Sequence, residues 1–263
     1  MPNLSVIVPT VGRFSLDRAL YSIISQVNVV LEIIVVDDSE LQDLSLPEDI
    51  PGKIIKTGGK VGVSKARNMG LDAATKRWVA FLDDDDEWLP EKSEVQLKYM
   101  KELSLDASLT SAFVNKTIRP KVPLKLGESP IHALYSHLSL FKNRHYMAIG
   151  SLIYDSEKFH VRFMDELTER EDFIFYESLF KLGAKFAQMD EPLVMIHFSK
   201  SNSLGRLDLD SEIEWSRLIL NYPKRVRRNF LIVSARNFAR FRDFGSAIKV
   251  MWYLLKNEVS KKV

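Results

Sequence analysis

The sequence predicts an α/β fold: a Rossmann-like, mostly parallel sheet over residues 1–206, followed by a C-terminal helical region over 207–263. Three observations carry that expectation. Short apolar runs alternate with amphipathic stretches in the first half; the runs are apolar on both faces, as strands covered by helices on each side must be; and the tail switches to a helical period.

The elements follow in order. Residues 4–8, 31–36 and 78–82 are β-branched and apolar throughout and predict buried strands. Between the first two, Leu16, Leu20, Ile23, Ile24 and Val27 recur at helical spacing, with Ser15 placed as an N-cap. Residues 53–56 predict a brief third strand, the Gly58-Gly59 pair a turn, and residues 64–75 a helix. This rhythm is that of a doubly wound nucleotide-binding half, whose ligand sits at the carboxyl ends of the strands. Beyond Asp86 the pattern predicts a helix from Pro90 to about 103 and a strand over 107–117. Loops with a short helix near Ile131 follow, then a strand over 150–154, a helix over 171–182, and two strands near 185–188 and 193–197. From Asp208 the tail is helical, with Trp215, Leu218, Ile219 and Tyr222 on one stripe and Ala247, Val250, Met251, Leu254 and Leu255 on another.

Composition narrows the function classes. The chain has 263 residues and a formal charge of only +2, which gives no global attraction to nucleic acid. It has no cysteine, which excludes a disulfide framework, thiolate zinc sites and cysteine catalysis. The apolar start is broken at Pro9, too early for a secretory leader, and no run approaches the roughly 18 apolar residues that span a bilayer. The expected location is the cytoplasm, at most peripheral to the inner face of the cell membrane. The positive charge is concentrated: residues 224–263 hold eleven Lys and Arg against two acids, a net of nine positive charges. Such a tail either caps the main domain or a partner subunit, or meets an anionic membrane surface.

The strongest chemical signal is Asp83-Asp84-Asp85-Asp86-Glu87, five acids directly after an apolar strand. Like charges so close repel, and a polar turn or a bound cation relieves them. The cation reading calls for a hard divalent ion held by one or two carboxylates and by diphosphate oxygens, Mn2+ or Mg2+. A second acid pair, Asp37-Asp38, ends another buried strand, where acids serve as turn residues or accept hydrogen bonds from a nucleoside. Glu171-Asp172 opens a predicted helix, which the helix dipole favours in any case.

The segments SVIVPT at 5–10, VVDDS at 35–39, GVSKARNMGL at 62–71 and FLDDDDEW at 81–88 stand in the order and spacing of the family 2 glycosyltransferases, which the chain resembles over about residues 4–200. The resemblance implies a GT-A nucleotide-diphospho-sugar transferase fold and inverting transfer from a UDP-sugar to a saccharide or lipid-linked saccharide acceptor. It implies that Pro9, Thr10 and Arg13 lie against the nucleotide, that Asp37 accepts from the uracil N3–H, and that Gly62, Arg67 and Asn68 run along base and diphosphate. Asp83, Asp84 and Asp85 match the DXD motif, with Asp83 and Asp84 contacting the donor and Asp85 binding the metal. Asp172, in what looks like the family's ED motif, is the implied general base. His197, with the polar residues Lys200, Ser201, Asn202 and Ser203, is implied to reach the metal or diphosphate. The QxxRW signature of processive members is absent, which points to a non-processive enzyme. Two other classes fit less well. A sugar-nucleotide pyrophosphorylase would want a glycine-rich basic loop after the first strand, where only Gly12-Arg13 stands. A non-catalytic nucleotide-sugar binder would have no need of intact acids at 37, 85 and 172.

Overall fold

The computed structural model describes residues 1–40, 44–120, 122–136, 147–165, 167, 170–197 and 208–260. Its first half is the expected nucleotide-binding layout. Strand β1 (Asn3–Thr10) pairs in parallel with β2 (Val30–Asp37) on one side and β4 (Trp78–Phe81) on the other, and β2 pairs in parallel with β3 (Gly52–Lys56). In this register Thr10 lies beside Asp37, and Asp37 beside Lys56, so the chemistry-bearing ends are level along one edge.

Alternation along these strands builds two cores. Ile7, Ile34 and Val36 face one side, under Ala66 of α2 (Val63–Ala73) and Phe175 and Leu179 of α5 (Glu171–Lys181). Val6, Val8, Ile33 and Val35 face the other, under Leu16, Leu20 and Ile23 of α1 (Leu16–Ile24) and Leu97 and Met100 of α3 (Lys92–Glu102). One glycine is demanded by packing: a Cβ on Gly70 would stand 2.3 Å from Cγ2 of Ile7, so α2 reaches β1 only because position 70 has no side chain.

Beyond β4 the sheet is mixed. Strand β8 (Ile153–Asp155) lies antiparallel between β4 and β6 (Ala107–Val114); β6 pairs in parallel with β9 (Phe186–Ile196), and the two-residue β5 (Glu87–Trp88) runs antiparallel along β9. Several sequence expectations are corrected here. The two strands expected over 185–197 are one, running past Pro192 where the pairing with β6 shifts register. The strand expected over 107–117 turns back at Asn115 and Lys116, both at positive φ, and returns as β7 (Thr117–Arg119). Gly150 lies in a 3-10 turn ahead of β8. Ser15 stands at the N-cap of α1 as expected but its side chain makes no capping hydrogen bond, and α1 ends at Ile24, leaving Val27 outside the helix and 42% exposed.

The tail forms α6 (Leu209–Ile219), α7 (Lys224–Arg240) and α8 (Phe244–Ser260). Asp208 caps α6 by accepting from the Ser211 N–H at 2.9 Å. These helices do not stand apart. Trp215, Ile219, Phe230, Phe238, Val250 and Leu254 share one apolar cluster with Ile131 and Tyr135 of α4 (Pro130–Ser136), and with Leu167 and Ile174 around the start of α5. Of the stripe expected on α8, Val250 and Leu254 are buried, whereas Met251 is 41% exposed.

Candidate active site

The acid cluster follows β4 directly, with Leu82 still paired to Ile7 through its N–H, so the carboxylates emerge at the strands' carboxyl edge. The five acids then diverge. Asp84 is buried, accepting from the Thr10 hydroxyl at 2.6 Å and pairing with the Arg13 guanidinium. It latches the cluster to the β1–α1 loop. Asp83 takes Nη2 of Arg67 at 2.7 Å. Asp85 lies 3.7 Å from the Arg13 guanidinium, and its backbone carbonyl accepts from Arg18 at 2.7 Å. Glu87 pairs with Arg18 at 2.9 Å and with Nε2 of His197 at 2.6 Å, while the His197 N–H donates to Asp86 at 3.0 Å.

Arg67 joins three elements. Its Nη1 meets Glu171 at 2.6 Å, Nη2 meets Asp83, and its guanidinium lies 5.2 Å over the Phe163 ring. Burial would favour the neutral form of this side chain, but the charges of Asp83 and Glu171 outweigh it and raise its pKa further. Glu171, which the sequence marks as a helix-start acid and as the first acid of the ED-like motif, is thus the counter-ion that ties α5 to α2. Arg170, held at φ 59°, continues the link into the tail: it pairs with buried Glu212 of α6 and donates to the Tyr135 hydroxyl at 3.0 Å.

Two cavities open on this network. The first, about 240 Å3, is lined by Pro9, Thr10, Arg13, Asp38 and Val63 together with Arg67, Asp83, Asp84 and Asp85. The second, about 370 Å3, is lined by Asp86, Met147, Arg170, Glu171, Asp172 and His197, and again by Arg67, Asp83 and Asp85. Those three residues form the wall between them. Burial, then the charge of Glu171, raises Asp172 above the ordinary carboxylate range, against the pull of Arg67 and of the Phe173 N–H at 2.9 Å. Burial, then the charge of Asp83, pushes Asp86 up to about 8. Burial and Asp83 also raise Asp85.

Not every expected residue reaches a cavity. Asp37 is buried and accepts from the N–H and hydroxyl of Ser39, at 2.9 and 2.6 Å; its neighbour Asp38 lines the first cavity. Asp38 also accepts from the Thr57 hydroxyl and from the N–H groups of Val61 and Gly62, fixing the loop ahead of α2. Gly62 serves that loop through its φ of 93°, and lines neither cavity. Asn68 exchanges hydrogen bonds with the backbone of Phe163, at 2.9 Å each way, and lines neither cavity. His197 faces the second cavity with Nε2 engaged by Glu87, so the geometry makes it a partner of that acid. Residues 200–203 lie outside the described residues. Among the described residues no group of three or more acids or histidines is arranged to hold a metal by itself.

The sheet, its level carboxyl edge and the acid cluster define a GT-A glycosyltransferase fold. The family model for glycosyl transferase family 2 matches residues 5–160, and the chain belongs to that family. It is 43% identical over 97 residues to the GalNAc(5)-diNAcBac-PP-undecaprenol beta-1,3-glucosyltransferase of Campylobacter jejuni, covering 34% of this chain and 31% of that one. It is 35% identical over 116 residues to the putative teichuronic acid biosynthesis glycosyltransferase TuaG of Bacillus subtilis, covering 41% of this chain and 46% of that one. The chain thus matches less than half the length of either relative. Among solved structures, S. aureus TarS 1-349 in complex with UDP-GlcNAc superposes with a TM-score of 0.64 at 21% identity, over 93% of this chain and 73% of that one.

Proposed function

We propose that the chain transfers a sugar from a nucleotide-diphospho-sugar, by preference a UDP-sugar, to an acceptor hydroxyl with inversion. The observation that carries this reading is the shared wall of Arg67, Asp83 and Asp85. A donor whose nucleotide fills the first cavity directs its anomeric carbon across that wall toward Asp172. The acceptor hydroxyl attacks that carbon as its proton passes to Asp172, and the bond to the diphosphate oxygen breaks with its electron pair leaving on UDP. A sugar hydroxyl is too weak an acid to ionise first, so a carboxylate raised above its usual range suits the task. The preference for UDP is supported by the UDP-GlcNAc complex of TarS, a protein of the same fold. The acceptor class, a saccharide or lipid-linked saccharide, is supported by the undecaprenol-linked glycan in the name of the Campylobacter relative.

Asp85 with Asp83 fits a divalent cation. Both face both cavities, the donors are hard oxygens, and burial, then the charge of Asp83, raises Asp85, an unfavourable state that a cation relieves. One or two carboxylates suffice for Mn2+ or Mg2+ when diphosphate and water complete the shell, so no all-protein cage is required. Bound there, the ion would neutralise the leaving diphosphate. Arg13 and Arg67 bring fixed positive charge to the same wall.

Titration calorimetry with UDP tests the reading, in the presence and absence of Mn2+. Binding that strengthens with the metal, followed by hydrolysis of one UDP-sugar from a panel, is the expected result. No heat with UDP or any UDP-sugar, with or without Mn2+, would refute it.

A further inference from the structure

Helix α8 carries two apolar faces, and the fold uses one. Val250 and Leu254 are buried in the third cluster, with Ala247 packed against it. Phe244, Ile248, Met251 and Trp252 are 62%, 58%, 41% and 59% exposed. Their spacing puts them on one stripe, roughly 110° around the helix from the buried face at 100° per residue. Phe241, 39% exposed, precedes it. Four large apolar side chains in a row on one helix are unlike the singly scattered apolar residues that any soluble surface carries.

The stripe is edged with cations. Lys249 and Lys256 are exposed on the border away from the core, and the Lys256 ammonium lies 4.8 Å over the Trp252 ring. Arg240 stacks 5.7 Å from the Phe241 ring. Helix α7 contains no acid, and residues 224–263 carry nine net positive charges in a chain whose total is +2. A second copy docking through this face would bring two such charged segments together, which repels. An anionic lipid surface satisfies both halves of the pattern: rings and aliphatic side chains enter the acyl boundary, while lysine stems reach back to phosphate.

We propose that α8 is an interfacial membrane-binding helix that inserts Phe244, Ile248, Met251 and Trp252 into an anionic bilayer surface, with Lys249 and Lys256 on the headgroups. Among the described residues no helix is long and apolar enough to cross a membrane, so this contact lies in the plane of the surface. It goes beyond the transfer chemistry and stands or falls independently of it.

Co-sedimentation of the full chain with vesicles tests this. One set is pure phosphatidylcholine, the other phosphatidylcholine and phosphatidylglycerol in equal parts. Binding is expected to the mixed vesicles, weak to the neutral ones, and released by salt. The double variant Ile248→Asp/Trp252→Asp should lose it, while its circular dichroism and thermal midpoint stay those of the parent. Lys249→Glu and Lys256→Glu should each weaken it by at least about fivefold without exposing the core. Three results would overturn the proposal: no sedimentation with mixed vesicles, sedimentation unchanged by the double aspartate variant, or light scattering showing a dimer that the same variant dissociates while the parent ignores vesicles.

Discussion

Arg67 and Glu171 lie 104 residues apart in sequence and meet at 2.6 Å, so the helix after the third strand and the helix that opens at Glu171 are joined by one guanidinium. Removing either partner strands a charge in the interior. Arg67→Leu should therefore lower stability by about 3–5 kcal/mol, read by urea denaturation. The double variant Arg67→Leu/Glu171→Leu should recover part of that loss, because no uncompensated carboxylate then remains at 171. A double variant as unstable as the sum of the singles would show that the pair is not coupled.

Asp172 gives a kinetic expectation with a sign. A base works when deprotonated, and Asp172 has its pKa raised by burial and by Glu171. The rate should thus rise with pH through a midpoint above the ordinary carboxylate value of about 4 and then level. Asp172→Asn should abolish that limb and lower kcat by about 10²- to 10⁴-fold while UDP binding by calorimetry is retained. Loss of UDP binding in this variant would move Asp172 from proton transfer to donor binding.

Gly70→Ala sets two effects against each other. Alanine gains about 1 kcal/mol of helix propensity over glycine. The new methyl, however, would stand 2.3 Å from Cγ2 of Ile7, in a strand fixed on both sides by neighbours. Overpacking of that kind costs about 1–3 kcal/mol, so the variant should melt at a lower temperature than the parent. A higher melting temperature would mean that α2 can lift off β1 freely.

Trp215→Ala tests whether the tail is separable. Trp215 is fully buried, and the Arg170 guanidinium lies 5.0 Å over its ring, two residues before Asp172. The substitution should cost about 3–5 kcal/mol in global stability. Transfer should fall with it, even at temperatures where the chain stays folded. Full transfer activity in a folded Trp215→Ala protein would make the tail an independent attachment.

How much of this was legible follows from the range of each interaction. The buried strands β1 and β2 were readable because both of their faces are covered, leaving continuous apolar runs, and the acid cluster because five like charges after a strand need relief. The hairpin at Asn115 and Lys116 was not, since the second turn residue carries no glycine-like signal for its φ of 63°. Pro192 made one strand look like two, because proline marks breaks and bulges alike. The site residues divided in the same way. Pro9, Arg67, Asp83, Asp85 and Asp172 face cavities, whereas Asp37 and Asn68 satisfy backbone groups close to them in space. Periodicity describes which face of an element is apolar; it carries no information on which of two adjacent polar side chains turns inward. The partnership of Arg170 with Glu212 joins two helices, and no local pattern could have announced it.

The run of four aspartates is spelled with one letter, yet no two of its members are interchangeable. Asp83 belongs to Arg67, Asp84 to Thr10 and Arg13, and Asp86 to the main chain at His197, while Asp85, which like Asp83 looks into both chambers, stands 3.7 Å from the Arg13 guanidinium. Aspartate-to-asparagine scanning along the run should accordingly yield separate phenotypes: a loosened α2–α5 junction at 83, a displaced first loop at 84, an altered metal response at 85 and a detached end of β9 at 86. Repetition in the primary structure here conceals a division of labour imposed by neighbours that arrive from three distant stretches of the polypeptide.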